Sequence, residues 1–342
     1  MDYRCLAAAL TLAASVLTCA AGVAAHHTAG GDTPPLRKVK PRLVLDNRFV
    51  TAVRSVRFSP DTKLIAAGGD STSLNVWEVG TGRVVLRAID LNDDDLLDQH
   101  EMLAFTPDGK TLIAGGADAI RCWDIGKGKM TGTIDACGCG MALSPDGKTL
   151  AAPIISNGVL LYDIASRKIR ATLNVPAKEG TTCAAFSPDG KFVAVGDGSG
   201  RVHVRPAAGR GRAPLPPMIH AGDDRYPKMV TSVSYSRDGK ILASTAHDWH
   251  VNLWDAASGK SLHRFRGEYC AFTKDGRHLF VPDDGGLKIW EVASGNLREE
   301  LDFPDVTSMA VSPDGKILVI GMGNGSIRLY DVQALLAGPK PR

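Results

Sequence analysis

At 342 residues, with 44% hydrophobic and 23% charged residues, the chain has a globular balance and enough apolar material for a sizeable core. A formal net charge of +3 is too small at this length to point to nucleic acid or an anionic membrane surface. The 37 glycines favour many turns over many helices.

The chain opens on a different material. Arg4 precedes the apolar run CLAAALTLAASVLTC, and the small residues Val23-Ala24-Ala25 stand before His26. This is the order of a secretory leader: charged start, short apolar core, small-residue cleavage site. The run is short and Ala-rich for a membrane anchor, which wants about 20 apolar residues. A lipoprotein site at Cys19 is the other alternative, and Thr18 before it fits that poorly. Residues 1–25 are therefore expected to be a signal peptide, 26–40 a polar, basic linker, and the mature protein periplasmic or extracellular, without a stable membrane span.

A seven-fold repetition follows. FSPDTK (58–63), FTPDGK (105–110), LSPDGK (143–148), FSPDGK (186–191), YSRDGK (235–240), FTKDGR (272–277) and VSPDGK (311–316) are near copies. Their Ser or Thr anchors, from Ser59 to Ser312, recur about every 42 residues, the period of a stacked or radial repeat. Each turn has local logic: Pro pre-sets the first corner, Asp bonds back to the backbone, and Gly accepts positive φ. Around each turn lie strand-like segments, such as MVTSVSY before one copy and KILASTA after it, then a third such as HVNLWDA and a fourth such as GKSLHRF.

Seventeen or eighteen residues past the anchor stands a large ring: Trp77, Trp123, Tyr162, Trp254, Trp290 or Tyr330. A ring at one fixed place per unit suits the wedge between radially arranged sheets. In the fourth unit Arg205 takes that place. Two residues before the anchor the side chain is small (Ala104, Ala142, Ala185, Ser234, Ala271, Ala310), as an innermost strand requires, and Arg57 breaks the rule in the first copy.

These turns, with the pairs Trp77-Glu78, Trp123-Asp124, Tyr162-Asp163, Trp254-Asp255, Trp290-Glu291 and Tyr330-Asp331, resemble the WD-repeat β-propeller family, in the form of an exported bacterial member, over residues 41–333. The resemblance implies an all-β fold: a seven-bladed propeller of four-stranded antiparallel blades. It also implies an Asp in the turn after the second strand, matched by Asp70, Asp118 and Asp248 and loosely by Asp284. The family's Gly-His dipeptide is absent, so its full His-Ser-Asp-Trp network is expected in no blade. The last unit stops at its third strand, SIRLYDV, while PRLVLD at 41–46 is a spare strand. That segment is expected to complete the seventh blade and leave no open edge, with 334–342 a short tail.

The sequence shows no GxSxG, HExxH, CxxC or P-loop. In DLNDDDLLDQHE, Asp90, Asn92, Asp94, Asp98 and Glu101 fall at calcium-loop positions, but Asp95 stands where the loop needs Gly. A solvated acidic loop is the plainer reading, and no cofactor is expected. Five cysteines follow the leader; Cys137 and Cys139 in CGCG, with Cys183 in the next unit, read as small packed residues, a disulfide or a metal site. HDWH (247–250) reads as a polar turn and RPAAGRGRAPLPP (205–217) as a loose outer edge of blade four.

In a propeller the Asp-bearing turns and the connections into the inner strands share one rim, with Arg54, Glu101 and Glu268 near the channel mouth. Arg54, Asp70, Glu101, Asp118, Asp248 and Glu268 are thus the candidate partner-binding residues. The function expected is a monomeric, non-enzymatic platform for an unidentified protein or peptide. The rival is a propeller enzyme or small-ligand binder using the axial channel; a purely structural role is a third possibility. All of these rest on family analogy.

Overall fold

The computed structural model describes residues 36–46, 52–69, 73–89, 102–116, 119–136, 138, 140–154, 158–211, 213–221 and 228–338. The leader, most of the linker, Asp70, Asp118, the acidic loop from Asp90 to Glu101, Cys137 and Cys139 lie outside these residues.

Twenty-eight strands form seven four-stranded antiparallel sheets. Blade 1 comprises Val53–Phe58, Leu64–Gly69, Ser73–Glu78 and Val84–Ile89, and blade 4 comprises Thr181–Phe186, Phe192–Asp197, Arg201–Pro206 and the two-residue Met218–Ile219. Blade 5 comprises Val230–Tyr235, Ile241–Ala246, His250–Asp255 and Ser261–Arg266. Blade 2 comprises Met102–Phe105, Thr111–Gly115, Ile120–Asp124 and Lys129–Ile134, and blade 3 Ala142–Leu143, Thr149–Ile154, Gly158–Asp163 and Lys168–Asn174. Blade 6 comprises Ala271–Phe272, His278–Asp283, Gly286–Glu291 and Leu297–Leu301. The first strand of each sheet is innermost. Blade 7 takes Val306–Val311, Ile317–Met322 and Ser326–Asp331 from the C-terminal end, and its outer strand is Leu43–Asp46. The register runs from Leu43 opposite Leu329 to Asp46 opposite Ser326. The ring closes as the sequence implied.

The repeated turn builds the same hydrogen-bonded knot seven times. In the copy at 144–149, Ser144 Oγ donates to Asp146 Oδ1 at 2.6 Å, and that oxygen also accepts from Lys148 N at 3.0 Å. Ser144 Oγ in turn accepts from Thr149 N at 2.9 Å, closing the hairpin. Six copies place Gly at positive φ, as at Gly147 (φ 69°). The first places Thr62 there at φ 64°, a region that a β-branched residue enters only with strain.

Each ring packs toward the preceding blade. Trp77 lies with Val319, Ile327 and Leu329 of blade 7, Trp254 with Val202 and Val204 of blade 4, and Tyr330 with Phe280 and Leu287 of blade 6. Tyr162 packs on Ile113 and Ile120 of blade 2, while Trp123 and Trp290, partly buried, pack on blades 1 and 5. In five blades a register shift falls immediately before the ring, as between Val76 and Trp77, and such an irregularity re-aims a side chain.

Both ends of the described residues are tied to the ring. Arg37 pairs with Glu299 at 2.5 Å and donates to Leu335 O at 2.8 Å, at the end of the short helix Val332–Leu336. Guanidinium at a helix C-terminus satisfies carbonyls the helix leaves open. No helix among the described residues is long and apolar enough to cross a membrane.

Candidate functional site

Antiparallel four-stranded blades put the Asp-bearing turns and the inter-blade connections on one rim, here called the loop rim. The SPDG-type turns and the third-to-outer turns lie on the other, the hairpin rim.

At blade 5 the loop rim rests on a buried network. Trp254 Nε1 donates to Ser244 Oγ at 2.8 Å, and His220 Nε2 lies 2.7 Å from the same oxygen. His220 Nδ1 stands 3.5 Å from Asp248 Oδ2, an ion-pair distance longer than a tight hydrogen bond. Asp248 Oδ1 also accepts from His250 N at 3.1 Å, and Arg264 reaches Asp248 Oδ2 at 3.3 Å. Burial alone would raise the Asp248 carboxyl, but His220's hydrogen bond, with the charges of His220, His250 and Arg264, holds it below the ordinary range.

This corrects in part the expectation that no blade carries the full His-Ser-Asp-Trp network: blade 5 has all four members, with Trp254 and His220 hydrogen-bonded to Ser244, while His220 meets Asp248 only at ion-pair distance. The expectation required Gly before His, whereas the hydrogen bonding uses only the imidazole. His220 follows Ile219 and contributes from the end of blade 4. The usable signal was a His 34 residues ahead of the Trp, with the Asp six before it.

The neighbouring blades build substitutes. In blade 4 the buried His203 Nε2 stands 2.9 Å from the fully buried Asp197 Oδ2, and Asp197 Oδ1 accepts from Ser199 N and Arg201 N at 2.9 Å. Asp197 was not among the expected turn aspartates. Blade 6 uses Asp283, which pairs with Lys288 at 2.5 Å, whereas Asp284 is exposed and pairs with Arg266 at 2.7 Å. Asp248 is itself buried, so what faces solvent around it is His250 and Arg264.

At the channel mouth Arg54 is the extra residue in an inner-strand irregularity between Val53 and Ser55. Glu268 feels it: burial and Asp284 push the Glu268 carboxyl up, and Arg54 opposes them. These two candidates are thus electrostatic neighbours. Asp70, Glu101 and Asp118 lie outside the described residues, as do all five positions of the calcium reading. Among the described residues no three His, Cys, Asp or Glu side chains gather as metal ligands.

The CGCG segment is explained in part by its glycines. A Cβ on Gly138 would stand 2.2 Å from Gly115 Cα, and one on Gly140, at φ 69°, would stand 2.1 Å from Thr182 O. Cys122, Cys183 and Cys270 are free thiols, and burial pushes all three up, Cys183 and Cys270 to about 12.

On the hairpin rim the missing ring of blade 4 leaves its mark. Arg205 donates to Asn174 O of blade 3 at 3.0 Å, and a cleft of about 280 Å³ opens beside Arg170 between those blades. A larger cleft of about 860 Å³ lies between blades 4 and 5, walled by Phe192, Leu215 and Tyr235 and edged by Asp189, Asp238 and Asp255. Pro214 lines it too, within the segment expected to form a loose edge.

The fold and its rims define a closed seven-bladed propeller of four-stranded antiparallel blades. The model for "WD domain, G-beta repeat" matches residues 44–78, 168–204, 221–255 and 297–331. The chain belongs to the WD-repeat β-propeller family. It is 28% identical over 223 residues to "Transcription factor unc-37" of Caenorhabditis elegans, covering 63% of this chain and 33% of that one. To "Protein groucho" of Drosophila melanogaster it is 25% identical over 296 residues, covering 82% and 39% respectively. The chain thus spans well under half the length of these relatives. A chain in "Crystal Structure of Mitotic Checkpoint Complex" superimposes with a TM-score of 0.71 at 18% identity, covering 91% of this chain and 97% of that one, a likeness of fold.

Proposed function

We propose that the protein is a non-enzymatic platform that holds a protein or peptide partner across its loop rim. The observation that carries this reading is the way blades 4 to 6 anchor that rim. Asp197, Asp248 and Asp283 are held inside by His203, His220 and Lys288, while Arg264, Arg266 and Asp284 stand partly or largely in solvent. Side chains fixed at the base and charged at the tip suit recognition, because less conformational entropy is lost when a partner docks. One relative, of Arabidopsis thaliana, is named "WD repeat-containing protein WDS homolog", and the fold neighbour comes from a complex.

The test compares partner capture by the wild type, by Arg264→Glu/Arg266→Glu on the loop rim, and by Asp189→Lys/Asp255→Lys on the hairpin rim. The reading expects one partner that the first variant loses and the second keeps, with affinity falling as salt rises. Loss on the hairpin rim alone would move the site to the inter-blade cleft.

Export is the second element of this proposal, and it rests on residues 1–25. N-terminal sequencing of the protein from fractionated cells should find a chain beginning at His26 outside the cytoplasm. A chain retained with Met1 in the cytoplasm refutes it.

A further inference from the structure

The inner strands meet around the axis, and the residue two before each turn anchor is partly open to water although deep in the ring. In six blades that residue is Ala or Ser: Ala104, Ala142, Ala185, Ser234, Ala271 and Ala310. In blade 1 it is Arg57, opposite Ala66. The longest cationic side chain in the alphabet thus occupies the ring position that six other blades keep nearly empty.

Arg57 has little to bond there. Its Nη1 donates to Val56 O, the carbonyl of its own neighbour, at 2.8 Å. Among the described residues no carboxylate lies within ion-pair distance of it. A guanidinium carries five N–H donors and no acceptor, so most of its bonding capacity is unused. Surrounding protein pushes its pKa down by desolvation. Even so an arginine stays charged at neutral pH. A cation partly withdrawn from water, with no carboxylate beside it among the described residues, is less stable than one given a counter-charge. Glu268 at the channel mouth interacts with Arg54 instead.

We propose that Arg57 makes the axial channel a binding site for a small oxyanion, a free phosphate or carboxylate, whose oxygens take the unused N–H donors of the guanidinium. The planar fork of arginine matches two oxygens of either group. The other six inner strands carry only Ala or Ser at that position, each partly buried. The site is independent of the loop-rim reading, since Arg57 lies toward the hairpin end of its strand.

The test uses the mature protein, with sodium phosphate and sodium acetate as separate probes at an ionic strength fixed by chloride. Calorimetric titration and thermal unfolding are run on wild type, Arg57→Gln and Arg57→Ala. The wild type should bind at least one probe saturably and melt higher with it than in chloride, and Arg57→Gln should bind at least tenfold more weakly. In oxyanion-free buffer both variants should melt no lower than wild type, because six blades already carry Ala or Ser there. A response to phosphate alone or to acetate alone identifies the source. No response beyond chloride, equal responses in wild type and Arg57→Gln, or variants that melt well below wild type without oxyanion would each overturn the proposal; the last would make Arg57 a structural residue.

Discussion

Removing the hydroxyl of Ser244 isolates the worth of the blade 5 network. Ser244 is fully buried and serves two groups, accepting from Trp254 Nε1 at 2.8 Å and bonding His220 Nε2 at 2.7 Å. Ser244→Ala strands both in a dry site, and each stranded polar group costs about 1–3 kcal/mol. The variant should therefore lose about 2–6 kcal/mol, a large fraction of the stability of an ordinary domain. Trp254→Phe removes the indole N–H along with part of the ring. In the Ser244→Ala background that N–H is already orphaned, so the same change should cost less, giving a coupling of about 1–3 kcal/mol. Urea unfolding followed by both far-UV circular dichroism and tryptophan fluorescence measures the four corners of the cycle, and coincident transitions license the two-state analysis. Strictly additive single variants, or a Ser244→Ala cost below about 0.5 kcal/mol, would refute the argument. Trp123 and Trp290, whose indole N–H groups find no partner among the described residues, show that a blade can form without this bond. The network is thus a local gain and not a requirement of the fold.

Thr62→Gly should raise stability by about 0.5–1 kcal/mol in urea unfolding, because relief of a left-handed β-branched residue exceeds the entropy cost of glycine. A loss would mean that the Thr62 side chain makes a compensating contact. The seven turn aspartates, Asp61, Asp108, Asp146, Asp189, Asp238, Asp275 and Asp314, all sit below the ordinary carboxylate range. In six the partner hydroxyl is the largest or an early cause, and at Asp275 it overcomes opposing burial. A lowered folded-state pKa adds stability above the unfolded-state value of about 3.9 and loses it as pH falls through the folded value. The stability gap between wild type and Asp146→Asn should thus be constant above about pH 5 and shrink below about pH 4; a gap that grows on acidification contradicts this. Cys122, Cys183 and Cys270 should resist alkylation at pH 8 in the native protein and react after denaturation, as peptide mass spectrometry will report. Labelling of any of them in the native state contradicts the burial that raises their pKa values.

The parts of the fold legible in the sequence are those whose chemistry is local. A Ser, an Asp and a Gly within four residues build the turn wherever they occur, so seven copies announce seven hairpins. The rings were legible because one position in each wedge needs the same volume. His220 was not legible by the same means: its partner Ser244 lies 24 residues away in another blade, and no neighbouring residue marks it. Asp197 was missed for a related reason, since blade 4 answers it with His203 from the third strand instead of a His from the preceding outer strand. Arg57 and Arg205 were visible as departures from the repeat. The loop-rim side chains follow no period at all. Their arrangement depends on which buried carboxylate each turn folds over, and that emerges only in three dimensions.

The outer strand of blade 7 has a bearing on how the molecule is made. Leu43 and Leu329, which face each other in that sheet, are 286 positions apart in the chain. A growing polypeptide therefore carries the Leu43–Asp46 strand idle until Leu329 has emerged, while the other six sheets can each assemble from contiguous chain. Closure waits for the third strand of blade 7, which presents unsatisfied amide groups to any other extended segment until Leu43–Asp46 pairs with it. A chain threaded through a membrane before folding would face that interval on the far side, among strangers. Holding the first strand out of wrong pairings until its proper edge arrives is then a task for whatever accompanies the nascent chain.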